Sequence, residues 1–232
     1  MSATRTSPAA AKLHAVPAAS PKLRRVLVIG ASGPTGRLIV EAVGNSGIAV
    51  RALARDPGRL GPQPSGGDVT RGDVLDQASL ARAMTEVDAV VSALGAKLEL
   101  RPVTLLSAGT RNVIAAMRES GVERLVCVTG VGAGDSRGHG GFAYDRLILP
   151  TLLRYMYADK NRQEQVVHES GLDWTIVRPA RLVDAPARGT YRVITTFAGE
   201  RMRTISRADV AGFIARELLE HRFGRSTVNL TY

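Results

Sequence analysis

Residues 26 to 43 constrain the fold of this chain more than any other stretch. Val26-Leu27-Val28-Ile29 is an unbroken apolar run, and Gly30-Ala31-Ser32-Gly33-Pro34-Thr35-Gly36 follows it at once. Arg37-Leu38-Ile39-Val40-Glu41-Ala42-Val43 then carries the apolar spacing of an amphipathic helix. A continuous apolar run fits a strand buried on both faces, so the order reads strand, glycine-rich turn, helix. Gly30 permits a sharp turn, Gly33 lets a ligand approach the backbone, and Gly36 allows the helix to pack closely on the strand. The unpaired N–H groups at a helix start attract an anion. This is the opening of a dinucleotide-binding unit, with Gly30, Ser32, Gly33, Pro34, Thr35 and Gly36 facing the pyrophosphate.

Strand-like and helix-like patterns alternate along the rest of the chain. Strands are predicted at 25–30, 48–54, 66–70, 88–93, 123–129 and 173–178, with a last one near 226–231. Helices are predicted near 35–46, 76–86, 103–120 and 143–170, and another starts at Ser206, where Ser206-Arg-Ala-Asp209 reads as a capping box. Such alternation predicts an α/β, Rossmann-type, doubly wound and mostly parallel sheet. At 232 residues there is room for one such domain, placed at 24–232.

The net charge of +10 at pH 7 suggests nucleic acid until it is apportioned. Arg5, Lys12, Lys22, Arg24 and Arg25 give half of it within the first 25 residues, which hold no acid. Rich also in Ala, Pro and Ser, residues 1–23 are expected to be a disordered basic tail. A basic, acid-free start also suits an organelle transit segment, although Pro8, Pro17 and Pro21 would interrupt an amphipathic helix there. No helix pattern carries a dense basic face with interleaved aromatics, which argues against nucleic acid as a partner. No apolar run approaches the ~20 residues of a membrane span. The single Cys127, inside an apolar run, reads as an inert buried thiol in a reducing, cytoplasmic setting. The expected partner is a small-molecule substrate, and the expected assembly a monomer or homodimer.

The choice of dinucleotide rests on the second strand. Arg55 stands at its end, nineteen residues after Gly36, where an NAD site usually offers an acid to the ribose. With Arg59 one turn further, two guanidiniums suit the 2′-phosphate of NADP(H). The alternative is that both are solvated arginines and Asp56 serves a ribose. By position in the fold, Asp73 and Val74 flank the adenine, and Ala93, Leu94 and Gly95 pass beneath the pyrophosphate.

The chain resembles the atypical short-chain dehydrogenase/reductases of the NAD(P)H-binding, NmrA-like type, most of all their biliverdin-IXβ and flavin reductase branch. The resemblance spans residues 24–232 and rests on the order and spacing of several motifs. These are Gly30 to Gly36, Arg55-Asp-Pro-Gly-Arg59, Gly72-Asp73-Val74, Gly109-Thr-Arg-Asn-Val-Ile-Ala-Ala-Met117, Glu169-Ser-Gly-Leu172, Arg178-Pro179 and Ile205-Ser-Arg-Ala-Asp209. It implies a seven-stranded sheet, NADPH bound in extended form, and reduction of flavins, quinones or linear tetrapyrroles. It also implies that Arg55 and Arg59 contact the 2′-phosphate and that the turn at Pro179 and Arg181 approaches the nicotinamide. The chain departs from this pattern at Gly130, where the branch has serine, and at Arg181, where it has histidine. Met156 takes the place of the tyrosine that a Tyr-x-x-x-Lys pair would set before Lys160.

Lys160, Thr129 and Tyr157 are the candidate catalytic residues. Lys160 is expected to hold the nicotinamide ribose, or else to pair with Glu164 on a solvated helix face. Tyr157, three residues earlier on the same side, can donate a proton. Thr129 can hydrogen-bond the nicotinamide amide or a substrate carbonyl. Arg181 can bind an anionic substrate group, and His139 lies in a glycine-rich loop near the substrate, whereas His14, His168 and His221 read as solvated. No histidine or carboxylate spacing suggests a metal, so the cofactor must carry the chemistry. The expected function is an NADPH-dependent oxidoreductase. The alternatives are an idle NADP(H)-binding regulator and a non-redox isomerase or dehydratase. A nucleotide-sugar epimerase is disfavoured by the 53 residues after Pro179, too few for a substrate lobe.

Overall fold

The computed structural model describes residues 23–63 and 66–232; the tail expected over 1–23 lies outside the described residues except for Leu23. Strand β1 (Arg25–Ile29) leads into α1 (Pro34–Asn45), β2 (Ala49–Ala54), β3 (Asp68–Arg71), α2 (Gln77–Ala83) and β4 (Ala89–Ser92). Then come α3 (Leu105–Glu119), β5 (Arg124–Val128), a one-turn α4 (Leu149–Thr151), α5 (Arg154–His168) and β6 (Asp173–Pro179). Three short strands follow, β7 (Arg181–Val183), β8 (Arg192–Ile194) and β9 (Thr204–Ser206), before α6 (Arg207–Glu220) and β10 (Ser226–Thr231).

The main sheet has the order β3-β2-β1-β4-β5-β6-β10-β8, and only the β10–β8 pairing is antiparallel. It therefore has eight strands where seven were expected. The eighth, β8, is a three-residue edge strand held by pairing with the far end of the chain. A separate ribbon joins β7 to β9 in parallel, with Arg181 in register with Thr204.

The pleat sorts the core into two layers. Val26 and Val28 of β1 face α1 and α6, together with Val50, Val91, Val126 and Val177. Leu27 and Ile29 face the opposite layer with Leu53, Val90, Leu125 and Ile176, against α2, α3 and Val167 of α5. Each central strand is thus buried on both faces, which is why it reads as a continuous apolar run. The order in which strands are added reverses between β1 and β4, which are parallel, so a crevice opens beyond their carboxyl ends.

The single helix expected over 143–170 is broken. Residues Tyr144–Ile148 form a π-type turn, and α5 begins only at Arg154. Pro150 has no N–H to return to the carbonyl one turn back, and Leu153 instead reaches the Ile148 oxygen across five residues at 3.1 Å. The capping box at Ser206 forms in part. The Ser206 hydroxyl accepts the Asp209 N–H at 3.0 Å, but the Ser206 N–H goes to the Tyr232 phenol at 3.1 Å.

Candidate active site

The glycine turn shapes the first of two clefts. Gly30 has φ +77°, a region costly to any residue with a Cβ, and a Cβ there would overlap the Ala93 carbonyl. A Cβ on Gly36 would overlap the Gly30 carbonyl and lie 2.9 Å from the Ala31 Cα. Gly33 is less constrained, since its Cβ would meet only the Gly30 oxygen at 3.3 Å. It caps α1 with an extended backbone, and no side chain bonds the helix start. The cradle is thus a close backbone turn ending in free N–H donors, which suits a pyrophosphate.

This cleft, about 460 Å³, brings together Ser32, Pro34, Thr35, Arg55, Arg59, Asp73, Val74, Ala93, Leu94 and Gly95 with the three glycines. Every residue expected to contact the adenosine and pyrophosphate portions therefore lines one continuous groove. Arg55 and Arg59 are exposed at its rim. Arg37 of α1 steadies their turn by donating to the Arg59 carbonyl at 2.9 Å. Asp73 turns its carboxylate to the Leu75 N–H at 2.9 Å, and its own N–H is held by the Ser79 hydroxyl. Lys97 and Arg207 also line the groove. Sequence reading missed both, because only the folded loops bring them there.

A second cleft of about 720 Å³ lies beyond the ends of β5 and β6. Thr129, Tyr157, Lys160, Pro179 and Arg181 line it, with Phe142, Ile148, Leu182 and Met202 as apolar walls. Leu182 lines both clefts, so the two are adjacent.

At the floor, Lys160 is buried and donates from Nζ to the Thr129 carbonyl at 2.8 Å. Burial pulls its ammonium below the usual lysine value, while Glu164 and Asp159 act in the other direction. The solvated face that stood as the alternative for Lys160 and Glu164 is not seen: Asp159, Lys160, Gln163 and Glu164 all face inward. Glu164 does not pair with Lys160. It takes a two-pronged ion pair from Arg178, Nε to Oε1 at 2.9 Å and Nη2 to Oε2 at 2.7 Å, and accepts the Thr129 hydroxyl at 2.6 Å. The Thr129 hydroxyl thus points to Glu164, and its carbonyl to Lys160. Arg178 also bonds Asp135, which clamps the loop after β5 to the floor. Asp159 receives the Leu106 N–H at 2.8 Å and the Ser107 hydroxyl at 2.5 Å, fixing the start of α3 on α5.

Tyr157 donates to the Val131 carbonyl at 2.8 Å, and the Tyr144 hydroxyl lies 2.6 Å from the Tyr157 oxygen. Burial, then the Tyr144 and Glu164 charges, push its phenol far above the ordinary value. His139 stacks on Phe197 at 3.8 Å between ring centroids and bonds the Glu200 carbonyl at 2.9 Å, so it braces a loop instead of lining the cleft. His221, expected to be solvated, pairs with Asp173 at 2.8 Å. Cys127 is buried, and burial pushes its thiol up to about 12. Among the described residues no group of three His, Cys, Asp or Glu could hold a metal, and no helix is long and apolar enough to cross a membrane.

A family model described as NAD(P)H-binding matches residues 30–221. The chain belongs to this NAD(P)H-binding family. Among curated relatives it is 30% identical over 177 residues to an uncharacterized chloroplastic protein of Arabidopsis thaliana, covering 72% of this chain and 62% of that one. It is 30% identical over 154 residues to a (4-alkanoyl-5-oxo-2,5-dihydrofuran-3-yl)methyl phosphate reductase of Streptomyces griseus, covering 66% and 46%. The chain thus spans about half to two thirds of the length of these relatives. Among solved structures, ChuY, an anaerobillin reductase from Escherichia coli O157:H7, superposes with a TM-score of 0.74 at 24% identity, covering 89% of this chain and 96% of that one. A short-chain dehydrogenase/reductase of Veillonella parvula in complex with NADP does so with a TM-score of 0.76 at 18% identity, covering 90% and 95%. Both likenesses are of fold. NAD(P)H binding gives a reason for Gly33, which packing constrains less than Gly30 and Gly36.

Proposed function

We propose that this chain is an NADPH-dependent reductase of small conjugated or carbonyl-bearing acceptors of the flavin, quinone or linear-tetrapyrrole kind. One observation carries the reading: the glycine-cradled groove adjoins, across Leu182, a larger and mainly apolar cleft floored by Lys160. The reductase names borne by the Streptomyces relative and by ChuY support it, as does the resemblance to the biliverdin-IXβ and flavin reductase branch. Bound there, NADPH supplies a hydride to the acceptor, and solvent supplies the balancing proton. Gly30, Gly36 and the uncapped start of α1 would hold the pyrophosphate, while Arg55 and Arg59 would hold the 2′-phosphate by charge-assisted bonds. Lys160, fixed by the Thr129 carbonyl, would hold the nicotinamide ribose. Phe142, Ile148, Leu182 and Met202 would offer the acceptor an apolar surface.

The test is NADPH consumption with a panel of flavins, quinones, biliverdins and simple carbonyls. Oxidation by at least one conjugated acceptor is expected, and none by any acceptor would return the chain to the idle regulator. NADPH should bind at least ~10-fold tighter than NADH, since each charge-assisted bond is worth roughly 1.5–3 kcal/mol. Arg55→Ala should erase most of that difference in a titration of both cofactors. Equal affinities in the unaltered protein would remove the NADP assignment.

A further inference from the structure

Lys160 is a buried ammonium without a counter-charge. Its Nζ donates to the Thr129 carbonyl at 2.8 Å, and no described carboxylate lies within 4 Å of it. The other buried cations among the described residues are matched, Arg124 by Glu217 at 2.7 Å and Arg178 by Glu164. A carboxylate stands close to Lys160 all the same. Glu164 lies one turn further along α5 and meets the same residue, accepting the Thr129 hydroxyl at 2.6 Å. Lysine and glutamate four apart on a helix are neighbours that ordinarily attract.

Arg178 holds them apart. It reaches from β6 to α5, and its planar fork takes both Glu164 oxygens, Nε to Oε1 at 2.9 Å and Nη2 to Oε2 at 2.7 Å. Two parallel charge-assisted bonds from a guanidinium grip a carboxylate more firmly than one ammonium can. Arg178 is itself locked in place. It bonds Asp135, and a Cβ on Gly134, where φ is +53°, would overlap its Nη2. The Gly134 N–H is tied to the Asn161 side chain at 2.9 Å. The remaining titratable groups near Lys160 are engaged elsewhere. Asp159 is taken by Leu106, Ser107 and Arg162, and the Tyr157 and Tyr144 phenols by the Val131 carbonyl. Cys127 of β5 is a buried thiol, and Arg181, which lines the same cleft, carries a like charge. With Glu164 neutralised, burial governs Lys160 and pulls its ammonium below the usual lysine value.

We propose that Arg178 is a positioning residue: by occupying both oxygens of Glu164 it keeps Lys160 unpaired, and the remaining donors of the ammonium stay open to a ligand in the cleft. Without Arg178, Glu164 turns to Lys160 and withdraws it. Pairing favours the charged form, so Lys160 then titrates at higher pH, yet NADPH binds more weakly. The effect on NADPH rests on the reading of Lys160 as the ribose contact; the release of Lys160 does not.

The chain has few lysines, Lys12, Lys22, Lys97 and Lys160, so ¹³Cε-lysine NMR of the full chain without cofactor can follow each. Lys160→Met identifies the signal. In Arg178→Met the Lys160 midpoint should rise by at least ~1 pH unit, the low end for an opposite charge in contact. NADPH affinity near neutral pH should fall at least ~10-fold, about one charge-assisted contact. Both should return in Arg178→Met/Glu164→Gln, where no carboxylate is left to take the ammonium. Arg178→Lys keeps the charge but offers one prong, and there too the midpoint should rise. This variant decides the matter if Arg178→Met does not fold. A midpoint that stays or falls on loss of the fork overturns the proposal, as does a rise that survives the double substitution. A rise accompanied by tighter NADPH binding also overturns it, because charge alone would then be acting. Midpoints that move as expected, with NADPH affinity indifferent to Lys160→Met, leave the release standing and remove Lys160 from the cofactor site.

Discussion

The phenol proton of Tyr157 is directed at the Val131 carbonyl, 2.8 Å away, and Lys160 donates to Thr129 rather than to that phenol. A tyrosine acid of the short-chain dehydrogenase kind needs a neighbouring ammonium to bring its pKa down. Here burial pushes it up. A conjugated acceptor spreads the charge left by hydride and can be protonated from solvent afterwards. Tyr157→Phe should therefore lower kcat by less than ~10-fold, well short of the ~10²–10⁴ of a true general acid. A loss above ~100-fold with NADPH affinity intact would restore the tyrosine mechanism. Lys160 gives a prediction with a sign. Its pKa is lowered, chiefly by burial, so the ammonium is charged below that depressed value and neutral above it. NADPH affinity should weaken as pH rises from neutrality toward 10, earlier than an ordinary lysine of about 10.4 would allow. Lys160→Arg should hold its affinity across the same range, and a flat profile in the unaltered protein would exclude Lys160 from the cofactor site.

At the level of the elements, the turn between β1 and α1 is the most demanding junction. The atoms a Gly36 Cβ would strike are backbone of Gly30 and Ala31, which cannot rotate away. Gly36→Ala should cost about 1–3 kcal/mol and lower the melting temperature by several degrees. Gly212 of α6 has nothing within 4 Å of its Cβ position, so Gly212→Ala should raise it slightly. This junction was legible in the sequence because strand, turn and helix lie within eighteen residues and each glycine has a local reason. The groove that follows was legible for the same reason, since Arg55, Asp73 and Ala93 each stand at a strand end. The floor of the second cleft was not. Lys160 was legible as a site residue, but a ribose contact and a solvated pair with Glu164 both stayed open, and nothing marked Asp159 or Gln163 as buried. Their partners Ser107, Thr129 and Arg178 lie 14 to 52 residues away, and no local pattern announces them. The break in the long helix had a signal in Pro150 that the predicted span overrode. Strand β8 had none, being three residues with two exposed and held only by β10.

Across the whole molecule, the basic charge falls into parts with different consequences. One part lines the two clefts, at Arg55 and Arg59 in the first and at Lys160 and Arg181 in the second. Another is the ion pairs that tie distant elements together, such as Arg51 with Asp68 at 2.7 Å and Arg124 with Glu217. The last is the acid-free first 25 residues, which bring half of the net +10. Among the described residues, Val26 and Val28 are fully buried in a core whose first contributor is Leu23. Removing residues 1–22 should therefore leave the melting temperature within about a degree or two and NADPH turnover nearly unchanged. Differential scanning calorimetry of the full and shortened chains, with turnover measured at two ionic strengths, decides it. A drop of several degrees would show that the segment contributes to the fold. Turnover that falls only at low salt would show that its charge helps gather an anionic substrate.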